Sequence, residues 1–242
     1  MWPFKTVKSI KESGMFDGFI DWHSHILPGV DDGIKRMSDS LEVLRFYEDL
    51  GIRHVWLTPH IMEDYPNTTA ELRARFEELK KEWNGKVELH LAAENMLDTL
   101  FEERLEAGDF LPIGEDGRHL LVETSYYTPP IGMDELLDKV KSAGYFPVLA
   151  HPERYRYMDE GDYIRLKELG VLFQINFASL VGGYGDTARK KCEWLLSKGM
   201  ADLTGSDLHR LDATQRMIAL KPTKNSVLDN LREVVSNGGK FH

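Results

Sequence analysis

The sequence predicts an α/β fold in which a parallel sheet is connected by helical crossovers, most simply as a closed barrel. Three observations carry this. Short apolar runs alternate with amphipathic stretches about seven times, and no linker, repeat or low-complexity segment interrupts them. Histidines or acids follow six different apolar runs, as in a barrel whose strand ends share one functional face. The first run lacks the Gly-x-Gly-x-x-Gly turn that would favour the alternative, an open doubly wound sheet.

Residues 1–17 read as an N-terminal extension, with Trp2 and Phe4 placed to cover the barrel floor, and residues 18–242 as a single domain. The first strand ends in His23-Ser24-His25. Alternate residues of a strand share a face, so these two imidazoles can serve one metal ion. Leu27-Pro28-Gly29 then marks a turn, and Asp31-Asp32-Gly33 brings two carboxylates into the same loop. Residues 38–50 read as a helix, with Asp39 and Glu42 as a capping box and Gly51 as the stop. The second strand, 53–58, leads into Pro59-His60. Thr68 and Glu71 form a second capping box, opening a helix with Leu72, Phe76, Leu79 and Trp83 on one stripe.

The third strand, 87–94, delivers Glu94 and is followed by a helix at 97–107. The fourth, 119–123, delivers Glu123, and a helix follows at 134–143. The fifth, 147–150, precedes His151, and the next helix spans 162–169. The sixth strand is 171–177 and its crossover helix 186–198. The seventh, 200–205, leads to Asp207 and His209, and an amphipathic helix at 226–235 ends the pattern.

Composition narrows the class. The chain has 242 residues, 42% of them hydrophobic and 29% charged, which suits a soluble globular protein with a sizeable core. No apolar run approaches the roughly 20 residues of a membrane span. Residues 1–15 lack the continuous apolar segment of a signal peptide. The single Cys192 cannot form an intrachain disulfide, and the cytoplasm is the simplest compartment. A net charge of -10 with no basic run argues against nucleic acid as a partner.

Taken singly, each histidine or acid reads as an ordinary hydrogen-bonded or surface residue. Their joint placement at strand ends points to a site. Together His23, His25, Asp32, His60, Glu94, Glu123, His151, Asp207 and His209 offer nitrogen and oxygen donors without a thiolate, a set that suits Mn, Fe, Zn or Co. Nine ligands exceed the needs of one ion.

The motifs His23-Ser-His25, Thr58-Pro59-His60, His151-Pro-Glu-Arg154 and Ser206-Asp207-Leu-His209, with Asp32, Glu94 and Glu123, resemble the ligand pattern of the PHP (polymerase and histidinol phosphatase) superfamily. Within it the chain is similar to bacterial manganese-dependent protein-tyrosine phosphatases of capsule and exopolysaccharide loci, from about Gly18 to the end. That resemblance implies a distorted (β/α)7 TIM-like barrel with a trinuclear Mn2+ site, with Fe, Zn, Co or Mg as other occupants. It implies that His23, His25, Glu94 and Asp207 hold the first ion. Glu94 bridges to a second with Glu123 and His151, and Asp32, His60 and His209 hold the third. Arg154 matches a phosphate-binding arginine, and a carboxylate at Glu123 matches the tyrosine-phosphatase branch. The extension departs from the family pattern, where the His-x-His strand lies almost at the N-terminus.

The resemblance further implies a phosphotyrosine protein as substrate, a tyrosine autokinase controlling polysaccharide export, and no insertion into the membrane. A metal-generated hydroxide would attack phosphorus, with Arg154 stabilising phosphoryl charge. The sequence does not identify the general acid; Asp32 and His209 are candidates only if not fully committed as ligands. Tyr65, Tyr126, Tyr127, Tyr155, Tyr157 and Tyr184 follow strand ends and could line the mouth, while Arg36 and Arg210 lie near ligands and read either as added phosphate contacts or as solvated surface charge. Cys192 sits mid-helix with Lys198 where a cysteine phosphatase needs arginine, so it reads as a core residue. A small-molecule phosphatase such as histidinol phosphatase, and a non-catalytic metal-binding regulatory domain, are the alternatives. The sequence leaves the oligomeric state open.

Overall fold

The computed structural model describes residues 7–238, so the expectation for Trp2 and Phe4 lies outside the described residues. The strands are β1 (Ile20–Ser24), β2 (His54–Leu57), β3 (His60–Ile61), β4 (Glu88–Leu91), β5 (Glu94–Met96), β6 (His119–Glu123), β7 (Phe146–Ala150), β8 (Leu172–Asn176) and β9 (Leu203–Gly205). They pair in the orders β1-β2-β4 and β3-β5-β6-β7-β8-β9, and every pairing between them is parallel.

The predicted strand 87–94 is split, and a short strand, β3, follows the predicted 53–58. Thr58-Pro59 separates β2 from β3, and Ala92-Ala93 separates β4 from β5. Proline has no N–H to give a neighbouring strand, so an unbroken ladder through position 59 is impossible. Hydrogen bonds nonetheless bridge the break, from Ala92 N to Leu57 O (2.9 Å) and from Glu94 N to Pro59 O (3.0 Å). At the other edge Asp207 N donates to His23 O (2.8 Å) and His25 N to Leu208 O (3.0 Å), joining β1 to the end of β9. The strands therefore run round as β1, β2/β3, β4/β5, β6, β7, β8 and β9, then back to β1. This is the distorted seven-strand barrel that the sequence predicts.

The helices are α1 (Met37–Leu50), α2 (Thr69–Glu82), α3 (Thr99–Ala107), α4 (Met133–Ser142), α5 (Glu160–Glu168), α6 (Asp186–Ser197), α7 (Leu211–Ala219) and α8 (Asn225–Gly238). The Thr68–Glu71 capping box forms as predicted. The one assigned to Asp39 and Glu42 does not. The N-cap of α1 is Arg36 without a side-chain cap, and Asp39 is instead paired with the Arg36 guanidinium at 2.9 Å. Sequence reasoning also misses α7. Its buried face is only Thr214 and Ile218, too short a stripe to register as a helical period.

The barrel strands are buried on both sides, and alternate residues serve two cores. Leu120, Val122 and Leu149 face the outer layer, with Val43, Leu44, Leu72 and Leu166 from the helices. Leu121, Val148 and Ala150 face inward, with Trp22, Trp56, Ala92, Ile113 and Leu203. Inside the barrel the rings of Trp22 and Trp56 stack at 5.7 Å. Residues before β1 belong to the outer core too, since Ile10, Met15 and Phe16 are buried in it.

The irregular register of β1 between Asp21 and Ser24 matters for the site. A bulge can place two consecutive side chains on one face. Trp22 thereby joins the inner core while His23, the next residue, also points to the centre. Closure at this point requires a glycine at 205, because a Cβ there would lie 2.6 Å from His23 Cβ and 2.8 Å from His23 N. Gly205→Ala is expected to destabilise the fold by about 1–3 kcal/mol, the usual range for overpacking. Urea unfolding of the variant beside the parent would measure it, and an unchanged midpoint would mean that β1 and β9 are not in this close contact.

Candidate metal centre

The barrel brings all nine predicted residues to one mouth. His23 comes from β1, His60 from β3, Glu94 from β5 and Glu123 from β6, with His25, Asp32, His151, Asp207 and His209 in the loops beyond. All are buried except Asp32 and His209. Three groups share atoms closely. In the first, His23 Nε2 and His25 Nε2 lie 3.1 and 3.2 Å from Glu94 Oε2, and 3.7 and 3.5 Å from Asp207 Oδ1. In the second, His151 Nε2 lies 2.9 Å from Glu94 Oε1 and 3.9 Å from Glu123 Oε2. In the third, Asp32 Oδ1 lies 3.4 Å from His60 Nε2 and 3.3 Å from His209 Nε2. His60 also turns Nδ1 toward Glu123 Oε1 (2.9 Å), which ties the second and third groups together.

Residues that sequence reasoning did not select orient these ligands. Gln174 donates through Nε2 to Ile175 O and Asn176 Oδ1, so its Oε1 is the atom facing His23 Nδ1 at 2.7 Å. Asp31 Oδ2 lies 2.8 Å from His25 Nδ1, and Asp207 O lies 3.0 Å from His209 Nδ1. Each of these three partners is an acceptor, so each Nδ1 carries a proton and each Nε2 faces the cluster. Anchoring of this kind sets the tautomer of metal-binding imidazoles. Asp31 was visible as the neighbour of Asp32. Gln174 and Asn176 were visible as polar residues at i and i+2 in an otherwise apolar strand.

The backbone also bends for the site. His151 (φ 35°) and Asp207 (φ 52°) occupy the left-handed region, a strain of order 1–3 kcal/mol for residues other than glycine. Hydrogen bonds from His151 N to Gln174 O (2.7 Å) and from Asp207 N to His23 O hold them there.

The electrostatics show a cluster short of positive charge. Burial opposes the charging of His23, but Glu94 and Asp207 outweigh it and hold its pKa at about 9. His60 is likewise buried, and Glu94 and Glu123 raise it to about 10. His209 reaches about 9 through its hydrogen bond to Asp32, against burial. His151 goes the other way, to about 4, under burial and the nearby charge of Arg154. Burial and the charge of Glu94 raise Glu123. Glu94 Oε1, Glu123 Oε1 and His60 Nδ1 are buried without a well-formed hydrogen bond. The short His60–Glu123 separation is thus a contact whose N–H points off the line. Inward-facing ring nitrogens whose protons a cation can replace, unsatisfied carboxylate oxygens and a thiolate-free donor set fit divalent cations.

Beside the cluster, Arg154 Nη1 donates to Asp207 Oδ2 at 2.6 Å. Its guanidinium lies between the rings of Tyr126 (4.4 Å) and Tyr184 (4.2 Å), and the Tyr184 hydroxyl also donates to Asp207 Oδ2 (3.0 Å). These two tyrosines, among the six considered for the mouth, therefore stack on the arginine. Tyr155 is fully buried, Tyr157 is tied to Thr124 at 2.6 Å, and Tyr127 is exposed. A cavity of about 400 Å³ opens here, lined by Tyr126, Arg154, Phe177, Tyr184, Arg210 and Met217 among others. Cys192 is buried in α6, and burial pushes its thiol pKa well up, as suits a core residue.

The charge balance predicts a pH dependence. An imidazole with a folded pKa above its unfolded 6.5 stabilises the fold below that pH, and the gain is lost as pH rises through the folded value. Protein stripped with chelator should therefore lose thermal stability between pH 7 and about 10, the window set by His23, His60 and His209. Divalent cation should remove that decline by replacing the protons. A flat profile for the stripped protein would contradict the assigned protonation.

The family model for capsular polysaccharide synthesis proteins CpsB/CapC matches residues 19–234. The tyrosine-protein phosphatase YwqE of Bacillus subtilis (strain 168) is 31% identical over 198 residues, 79% of this chain and 78% of that protein. The tyrosine-protein phosphatase CpsB of Streptococcus pneumoniae is 28% identical over 241 residues, covering 89% of this chain and 98% of that protein. Among solved structures, a chain from the crystal structures of these two proteins, described as metal-dependent tyrosine phosphatases, matches with a TM-score of 0.80. It is 26% identical, with 91% of this chain and 92% of that one covered. With the family model spanning β1 to α8, this chain belongs to the CpsB/CapC family of capsular polysaccharide synthesis proteins.

Proposed function

We propose that the chain is a metal-dependent protein-tyrosine phosphatase. The observation that carries this is the buried imidazole–carboxylate cluster opening, beside an oriented arginine, into a cavity of about 400 Å³. Its relatives named above support the substrate class. In this reading His23, His25, Glu94 and Asp207 would hold one ion, Glu94, Glu123 and His151 a second, and Asp32, His60 and His209 a third. Mn2+ is the proposed occupant, with Fe, Zn, Co or Mg as alternatives. Such ions, when bound, would activate water near neutral pH and offset phosphoryl charge.

The chain's own groups do the rest. Arg154 presents its fork of N–H donors to the phosphoryl oxygens, and Tyr126, Tyr184 and Asp207 hold that fork in place. Phe177 and Met217 give the cavity an apolar wall suited to a phenyl ring. A tyrosyl leaving group has a pKa of about 10 and needs only modest protonation. Asp32 and His209 lie together at the rim of the cluster, and either serves as the general acid only where it is not committed to the third ion. The proposed substrate is a phosphotyrosine protein, a tyrosine autokinase of polysaccharide export, encountered in the cytoplasm. No helix among the described residues is long and apolar enough to cross a membrane. Residues 18–242 are proposed as the catalytic domain, with 1–17 as an added segment.

Hydrolysis of phosphotyrosine peptide, phosphoserine peptide and histidinol phosphate, each with manganese and with chelator, tests the assignment. Turnover should be manganese-dependent and concentrated on phosphotyrosine. Preference for histidinol phosphate would overturn the substrate, and no turnover despite bound metal would overturn the enzyme. Arg154→Ala should bind metal normally yet lose about 10²–10³-fold in turnover, the scale for one charge-stabilising donor. His23→Ala and Asp207→Ala should lose metal as well as activity. Full metal content in both would refute the first ligand group.

A further inference from the structure

The structure holds a second group of metal-ligating side chains, on the opposite end of the barrel from the mouth. His54 opens β2 and Glu88 opens β4, so they lie at strand N-termini. These strands are paired in register, His54 against Glu88 and Trp56 against His90. Residues two apart on a strand share a face. His54, Trp56, Glu88 and His90 therefore form a two-by-two patch on one side of the β2–β4 ladder. His54 Nδ1 and His90 Nε2 lie 3.3 Å apart. Glu88 reaches toward both, with Oε2 3.6 Å from His54 Nδ1 and Oε1 3.9 Å from His90 Nε2.

We propose that His54, His90 and Glu88 form a second site for a divalent transition ion of the zinc class. Two nitrogens bound to one tetrahedral zinc at roughly 2.0–2.1 Å are about 3.3–3.4 Å apart, which the two imidazoles already match. The carboxylate sits on a mostly exposed arm (64%) and needs only a side-chain rotation to close on the ion. The imidazoles are half-buried, so part of the cost of ordering them is already met. His90 is further fixed by stacking on Trp56 (4.7 Å, 21° between planes), which in turn stacks on Trp22. Two imidazoles and one carboxylate form a donor set that selects zinc-like ions over magnesium or calcium.

The site shares no residue with the cluster at the mouth. The inner core around Trp22 and Trp56 lies between them. Its mechanical effect is also distinct. In its sheet β4 is the end strand, hydrogen-bonded in that ladder only to β2. An ion held by His54 from β2 and by Glu88 and His90 from β4 would clamp the ladder at its open end. Occupancy should therefore raise stability and leave phosphatase turnover unaffected.

The test uses the full chain, stripped with chelator, loaded with excess Zn2+, desalted and analysed for zinc per chain by mass spectrometry. The parent should hold one more zinc than the double variant His54→Ala/His90→Ala. Glu88→Ala should hold that zinc with affinity lower by about tenfold or more, on the scale seen when a metal site loses a supporting group. The gain in thermal stability on adding zinc should be larger for the parent than for either variant. Manganese-supported turnover should be equal in all three. Equal zinc content and affinity across the three proteins would overturn the proposal. If the double variant fails to fold, Glu88→Ala decides alone, since its exposed side chain is dispensable for the core, and unchanged zinc affinity would reject the site. The outcome is independent of the phosphatase reading, because the counted ion is the one lost with the floor residues.

Discussion

The mouth of the barrel is governed by one electrostatic constraint. Asp32, Glu94, Glu123 and Asp207 each lie within a few ångströms of two or more of five imidazoles, Glu94 and Glu123 fall in one close group, and most of this is out of water. Like charges at that range cannot all persist without compensation. Without a cation, the compensation comes from protons taken up by His23, His60 and His209. Most features of the upper barrel can be read as ways of sustaining this arrangement: the acceptors behind His23, His25 and His209, the guanidinium beside Asp207, and the left-handed backbone at His151 and Asp207.

Arg154 shows how the same constraint becomes function. Asp207 is shared between the imidazoles on one side and the guanidinium and Tyr184 hydroxyl on the other. That sharing places a fixed cation at the edge of the cluster. The flanking Tyr126 and Tyr184 rings restrict it without neutralising it. A dianionic phosphoryl group entering the cavity would meet preset positive charge, so little reorganisation is left for the reaction itself. Below the cluster, the stacked indoles and small alanines of the inner core keep the floor dry and rigid.

Much of this was legible in the sequence. The ends of the apolar runs are local features, and the residue that follows each run is plain to read. The alternation of strands and helices, the face shared by His23 and His25, and the placement of nine candidate ligands all follow from that. Misreadings arose where a contact outcompeted a local rule. Asp39 pairs with Arg36 rather than capping α1, and Ala92-Ala93 interrupts the strand read as 87–94. Helix α7 was invisible because its buried stripe is too short. Tyr126 and Tyr184 were placed at the mouth, but their arginine partner could not be read from spacing.

By itself the sequence determined the parallel α/β alternation and which strand end bears which donor, because hydrophobic period and turn chemistry act over a few residues. Only the tertiary structure decided how the ring closes and which way each donor points. Those outcomes rest on contacts between distant parts of the chain. His23 meets Gln174 across 151 residues, and Asp21 accepts from Ser206 N across 185. The irregular register of β1 and the bare backbone of Gly205 let those segments approach, and no local pattern encodes that approach.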